Sequence, residues 1–129
     1  MPSTSEPAEV VRALWERFEA RDWDAAGELL AEDVVVEWPH SYERICGRAN
    51  VIAVNRHYPE GWTIRVLRVL TEGETAVSEV AVDHEGLGTF HVVSLAEVRD
   101  GQIVHATEYW VAPPSGDPPA WRAQWVERY

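Results

Sequence analysis

Residues 89–111, TFHVVSLAEVRDGQIVHATEYWV, are two runs rich in β-branched and aromatic residues that meet at Asp100-Gly101. An Asp-Gly pair between such runs is the strongest short-range hairpin signal, because the two-residue turn it favours holds both central residues at positive φ. A turn of that length also sets the register of the strands it joins. With Arg99 opposite Gln102, Leu95 is expected to face Ala106, Val93 to face Glu108 and His91 to face Trp110, and these six share one side of the sheet. The other side then carries Val92, Ser94, Ala96 and Val98 against His105, Thr107, Tyr109 and Val111. Both sides are substantially apolar, whereas a sheet covered on one side alternates more cleanly. A second subunit is the simplest cover for the second side, so a homodimer is expected. Glu108 sits among apolar neighbours, and burying a carboxylate without a partner is costly. It must be hydrogen-bonded, protonated or turned towards a cavity.

The same strand pattern extends upstream. Residues 62–70 and 74–83 read as two further strands of a meander, with Gly-containing turns between them. Before the meander the periodicity changes. Val10, Val11, Leu14, Trp15 and Phe18 recur at three- and four-residue spacing, which gives one buried helical stripe ending near Ala20. Ser3, Thr4 or Ser5 can cap that helix and Pro7 suits its first turn. Asp22 restarts the pattern, and Trp23, Ala26, Leu29 and Leu30 give a second short helix ending near Glu32-Asp33. Residues 34–38 are β-branched and apolar until Pro39 stops them, a strand. Residues 47–57 suit a third helix that ends before Pro59. Helices followed by strands argue for an α+β domain with a mostly antiparallel sheet and the helices on one face.

Composition narrows the functional classes. At 129 residues, 46% of them hydrophobic, the chain suits one domain with one core. Its net charge of −11 comes from 22 acidic residues against 11 basic ones, all Arg. No basic stripe is available to neutralise phosphates, so no nucleic-acid partner is expected. Cys46 is the single cysteine, which excludes an internal disulfide and suits a reducing compartment. The start of the chain has no basic region followed by an apolar run, and no membrane-length apolar stretch occurs. A cytoplasmic protein that does not engage membranes is expected. The absence of Lys beside abundant Arg suits a high-GC bacterium.

The element order, the stretch RDWDAAGELLAEDVVVEWP over residues 21–39 and the closing strand DGQIVHATEYW over residues 100–110 resemble the nuclear transport factor 2-like superfamily. Within it they are similar to SnoaL-like polyketide cyclases and ketosteroid isomerases. The resemblance covers residues 7–112, leaving residues 1–6 as an expected disordered start and 113–129 as a Pro-rich spacer with an aromatic tail. It implies a cone in which a curved, mixed, mostly antiparallel sheet wraps around the three N-terminal helices and lines a small-molecule pocket. By that resemblance the pocket is lined by Trp38, His40, Asn55, Glu79, His91, Glu108 and Trp110, over an apolar floor of Leu14 and Phe18. The family's own catalytic groups do not carry over. Ketosteroid isomerases take the substrate proton with an Asp in Val-Glu-Asp-Pro, where this chain has Val36-Glu37-Trp38-Pro39. Their helix-one Tyr falls at Leu14 and their acidic donor at or near Leu95. SnoaL-like cyclases end the last strand in Tyr-Trp-Asp, where this chain has Tyr109-Trp110-Val111.

If the chain is an enzyme, its base has moved. Glu108, desolvated beside Trp110, is the first candidate for general base, with His91 as proton relay and Glu79 as a further carboxylate. The alternative for Glu108 is a structural pair with an Arg such as Arg44. His40 sits on a loop with Tyr42, Glu43 and Arg44, suited to gating a pocket. Trp38 and Trp110 suit contact with a flat apolar ligand. His40, His57, His84, His91 and His105 have no metal-ligand spacing and no phosphate-binding glycine loop is present, so neither a metal nor any other cofactor is expected. The leading expectation is a cofactor-free isomerase, cyclase or dehydratase for a small, apolar, oxygenated metabolite. The competing one is a non-catalytic module that binds a hydrophobic ligand or a protein.

Overall fold

The computed structural model describes residues 6–129, so the candidate caps Ser3, Thr4 and Ser5 and most of the expected disordered start lie outside the described residues. Helix α1, Pro7–Glu19, forms where the apolar stripe places it, with Pro7 in its first turn and Val10, Val11, Trp15 and Phe18 buried. Arg21 takes a left-handed φ of 60°. The Asp22 side chain then accepts a hydrogen bond from the Ala25 N–H, capping α2, Trp23–Glu28. The chain pairs as a strand sooner than the periodicity suggests: β1 runs Leu30–Trp38. Leu30 and Ala31 are buried and Leu30 lies against Ile103 on the last strand. Sheet pairing there wins over the helical spacing of Leu29 and Leu30.

A short strand β2, Glu43–Cys46, then α3, Arg48–His57, lead into the meander of β3 (Trp62–Glu72), β4 (Thr75–His84), β5 (Gly88–Arg99) and β6 (Gln102–Val111). Strand β2 replaces part of the loop expected after Pro39, because residues 43–46 pair antiparallel with β1, Arg44 opposite Glu37. The six strands form one sheet in the order β2-β1-β6-β5-β4-β3, with β1 parallel to β6 and every other neighbour antiparallel. The inner face packs on α1: Ala76, Val80, Val82, Val92 and Ala96 join Val10, Val11, Trp15 and Phe18 in a single core. Residues 113–129 follow as an arm with one short 3-10 helix, Ala120–Trp125.

Asp100 and Gly101 have φ of 51° and 77°, the two positive values the hairpin turn requires. The register beyond it differs from the simple extrapolation. Arg99 pairs with Gln102 and Val98 with Ile103, but Glu97 then pairs with His105, so Val104 is an extra residue, a β-bulge. From there Ser94 faces Glu108, Val92 faces Trp110 and His91 faces Val111. The expected grouping is thereby corrected. Val92, Ser94, Ala96, Ala106, Glu108 and Trp110 share the inner face, and His91, Val93 and Leu95 point outward. A second irregularity on β1, between Leu30 and Val35, faces the same stretch of β6, and a third lies on β3 between Val66 and Arg68. Bulges bend and twist the strand that carries them, and together they curl the sheet around α1.

Candidate functional site

The curled sheet leaves a cavity of about 260 Å³ between its inner face, α1 and α3. Its walls are aromatic: Trp15 comes from α1, Trp38 from β1, Tyr58 from the end of α3, Trp62 from β3, and Phe90 and Trp110 from β5 and β6. Val54, Ile64, Val82 and Ala112 complete the apolar lining, with His40 and Asn55 as further polar members. Trp15, Trp38, Asn55 and Trp110 also wall a narrower recess of about 40 Å³ towards the core, floored by Leu14, Phe18, Ser94 and Glu108.

A polar row crosses the inner face in an otherwise apolar setting. Ser78 on β4 pairs with Ser94 on β5, which pairs with Glu108 on β6. Each end of the row is held by an indole: Trp15 Nε1 donates to Ser78 Oγ at 3.0 Å, and Trp38 Nε1 donates to Glu108 Oε1 at 3.0 Å. The Trp110 N–H is buried close to the same carboxyl without completing a hydrogen bond of good geometry. Burial pushes the Glu108 carboxyl above its ordinary value, opposed by the Trp38, Trp110 and Ser94 side chains, which favour the anion. Enclosed by protein on most sides, Glu108 still keeps part of its surface, and that part opens on the recess.

Arg44 does not neutralise Glu108. It lies 3.3 Å from Glu37, which also meets His105 Nε2 at 2.9 Å, on the outer face. Glu79 and His91 are on the outer face too. Glu79 pairs with Arg68 at 2.9 Å, and the exposed His91 stands opposite Ala81 and Val111. Neither approaches Glu108, because β4 and β5 turn alternate side chains to opposite faces. His40 is exposed beside the cavity with its ring 6.2 Å from that of Trp38, and Asn55 Nδ2 donates to Val51 O at 2.8 Å.

Sequence reasoning passed over Trp15, Tyr58, Trp62 and Phe90 as wall residues and put Ser94 on the wrong face. Trp15 looked like ordinary core at helical spacing, and nothing local marks Trp62. Its place is set by Arg21, which stacks over its ring at 3.3 Å from the centroid, donates to its carbonyl at 2.8 Å and grips Glu60 with two further N–H groups.

Residues 11–106 match the family model described as the SnoaL-like domain. Among solved structures, a putative ketosteroid isomerase from Kribbella flavida is 33% identical and superposes with a TM-score of 0.85 over 95% of this chain and 89% of its own. A protein of unknown function from Burkholderia xenovorans, described as NTF-2 like, is 34% identical, with a TM-score of 0.76 over 94% and 93%. An epoxide hydrolase from M. tuberculosis, described as LEH-like, is 25% identical, with a TM-score of 0.71 over 84% and 85%. No curated protein matches the chain. The chain belongs to the SnoaL-like domain family of the nuclear transport factor 2-like superfamily.

Proposed function

We propose that this SnoaL-like chain holds a small, largely apolar, oxygenated metabolite between its indole walls and isomerises, cyclises or dehydrates it, without a cofactor, by proton transfer through Glu108. The observation that carries this reading is that Glu108 is the single carboxyl among the residues lining the cavity and its recess. A carboxylate whose pKa is raised by desolvation is a stronger base than one in water, and it keeps its proton to higher pH, so more of it is available as a general acid towards neutrality. The Trp38 N–H fixes one oxygen, leaving the other to exchange a proton with a substrate atom in the recess. The recess admits only a small group, so the bulk of the ligand occupies the aromatic cavity, where indoles supply contact area. Glu79 and His91 take no part, since both stand on the outer face. The M. tuberculosis relative described as an LEH-like epoxide hydrolase and the Kribbella relative described as a putative ketosteroid isomerase are consistent with a family that acts on such molecules.

The test uses bicyclic ketones, epoxides and phenols as probes, with binding read from indole fluorescence and proton abstraction from exchange of substrate protons with D2O. Glu108→Gln keeps the acceptor for Trp38; it should retain binding within a few-fold and lose exchange by at least about 100-fold. Binding without exchange in the parent protein at any pH would leave a hydrophobic-ligand binder, the second reading, which the loss of the family's usual carboxylates favours.

The outer face supports self-association. Val93, Leu95, Tyr109 and Val111 are exposed on β5 and β6, bordered by the Arg68–Glu79 and Glu37–His105 pairs, the apolar centre and polar margin of an isologous dimer interface. The exposed, unpaired Cys46 is compatible with a reducing cytoplasm. Among the described residues no helix is long and apolar enough to cross a membrane.

A further inference from the structure

We infer that the C-terminal arm, residues 113–129, is an intersubunit clasp: it reaches a second copy of this chain and buries Trp121 and Trp125 against it. The inference rests on the proposed sheet-face dimer and assigns a role to a segment that the cavity does not use.

The arm is a built segment. Its root is fixed where Pro113 packs on Gly88: a Cβ at that glycine would lie 3.1 Å from the Pro113 ring, and Gly88 itself has a φ of 108°. Its far end is tied back on itself, with Arg128 Nη1 donating to Asp117 Oδ1 at 3.0 Å. The Kribbella and Burkholderia relatives align over 95% and 94% of this chain, which cannot be reached without most of residues 113–129. The M. tuberculosis relative, at 84%, need match no more than the cone.

Within this braced arm the large apolar side chains have no cover. Trp121 is 74% exposed and Trp125 72%, with Val126 and Tyr129 also exposed. Two indoles this open on an ordered segment mark an interface, since soluble monomers rarely present such surface without using it. Three observations name the occupant as a second copy. The arm continues the chain directly from β6, whose Tyr109 and Val111 are exposed on the face that the proposed dimer covers. Arg122 forms no ion pair among the described residues, whereas the chain as a whole carries −11, so a second copy offers the acidic surface that Arg122 lacks. In a two-fold dimer each arm acts once, so four indoles are buried; at about 150–250 Å² each they supply roughly half of a standard interface of about 1,600 Å², and the sheet faces supply the rest.

The experiment is sedimentation velocity of the full chain over a dilution series, comparing the parent, the double variant Trp121→Ala/Trp125→Ala and, separately, Leu95→Glu on the sheet face. The parent should be a dimer, and the double variant should dissociate at concentrations at least about 100-fold higher with an unchanged far-UV spectrum. A double variant that dimerises as tightly as the parent overturns the clasp. Leu95→Glu that dimerises unchanged overturns the sheet-face reading instead. A monomeric parent whose indole emission shifts to the blue on adding phosphatidylcholine–phosphatidylglycerol vesicles overturns both and assigns the arm to lipid.

Discussion

The two faces of the β5–β6 hairpin are made from one alternating sequence and have opposite chemistry. Inside, Val92, Ser94 and Ala96 are buried and Glu108 is held by an indole; outside, His91, Val93, Leu95 and Glu97 meet solvent. The carboxylates make the contrast sharper. Glu108 is pushed up by burial, whereas Asp83, on the outer face, is held down at about 2 by Arg65 and Thr89. What a carboxylate can do in this sheet is decided by which side of a pleat it occupies.

The largest effect should come from breaking the inner face beside an intact outer one. Val92 is 0% exposed and Val93 is 39% exposed. Val92→Asp leaves a charge unpaired in the core and is expected to cost at least about 4 kcal/mol, enough to unfold much of the protein. Val93→Asp should change monomer stability by less than about 1 kcal/mol and weaken self-association instead. Urea midpoints for the pair, measured at high dilution, decide this; equal losses would refute the assignment of faces. Next in size is Trp15→Phe, which leaves the buried Ser78 hydroxyl without its donor and should cost about 1–3 kcal/mol in the same assay.

The pH dependence should run in opposite directions on the two faces. Because the folded pKa of Glu108 is raised, the folded protein binds that proton more tightly than the unfolded chain does. Its contribution is fully present below the ordinary 4.5 and is lost as pH rises through the raised value. Asp83 behaves oppositely: its contribution is present above the ordinary 3.8 and is lost as pH falls through about 2. Thermal melts between acid and neutral pH should show the alkaline-side loss vanish in Glu108→Gln and persist in Asp83→Asn. The smallest effect belongs to Arg68→Ala on the outer face, where an exposed ion pair with Glu79 is worth less than about 1 kcal/mol and salt should erase the difference.

Much of the architecture was legible because local rules and global packing agree. The α1 stripe, the Asp22 restart, Pro39 and Asp100-Gly101 each mark an element that the structure contains. Register is where legibility stopped, because a single extra residue at Val104 exchanges the outward and inward sets on β5 relative to β6, and no turn signal announces a bulge. The site divided along the same line. Trp38, Asn55, Trp110 and Glu108 lie at the cavity and its recess, whereas His91 and Glu79 needed a parity that the sequence does not carry. Strand β2 is too short for a pattern of its own and exists because β1 offers it an edge.

The bulge at Val104 also bears on how such a domain can diversify. Since Glu97 already pairs with His105, excising Val104 would leave each partner facing the same way and only straighten the strand. Loss or retention of that one residue is therefore a dial on the curvature of the wall, and on the width of the space beneath it, that leaves the chemical lining in place. A lineage could pass from a bulky ligand to a slender one there without replacing a side chain that either ligand touches.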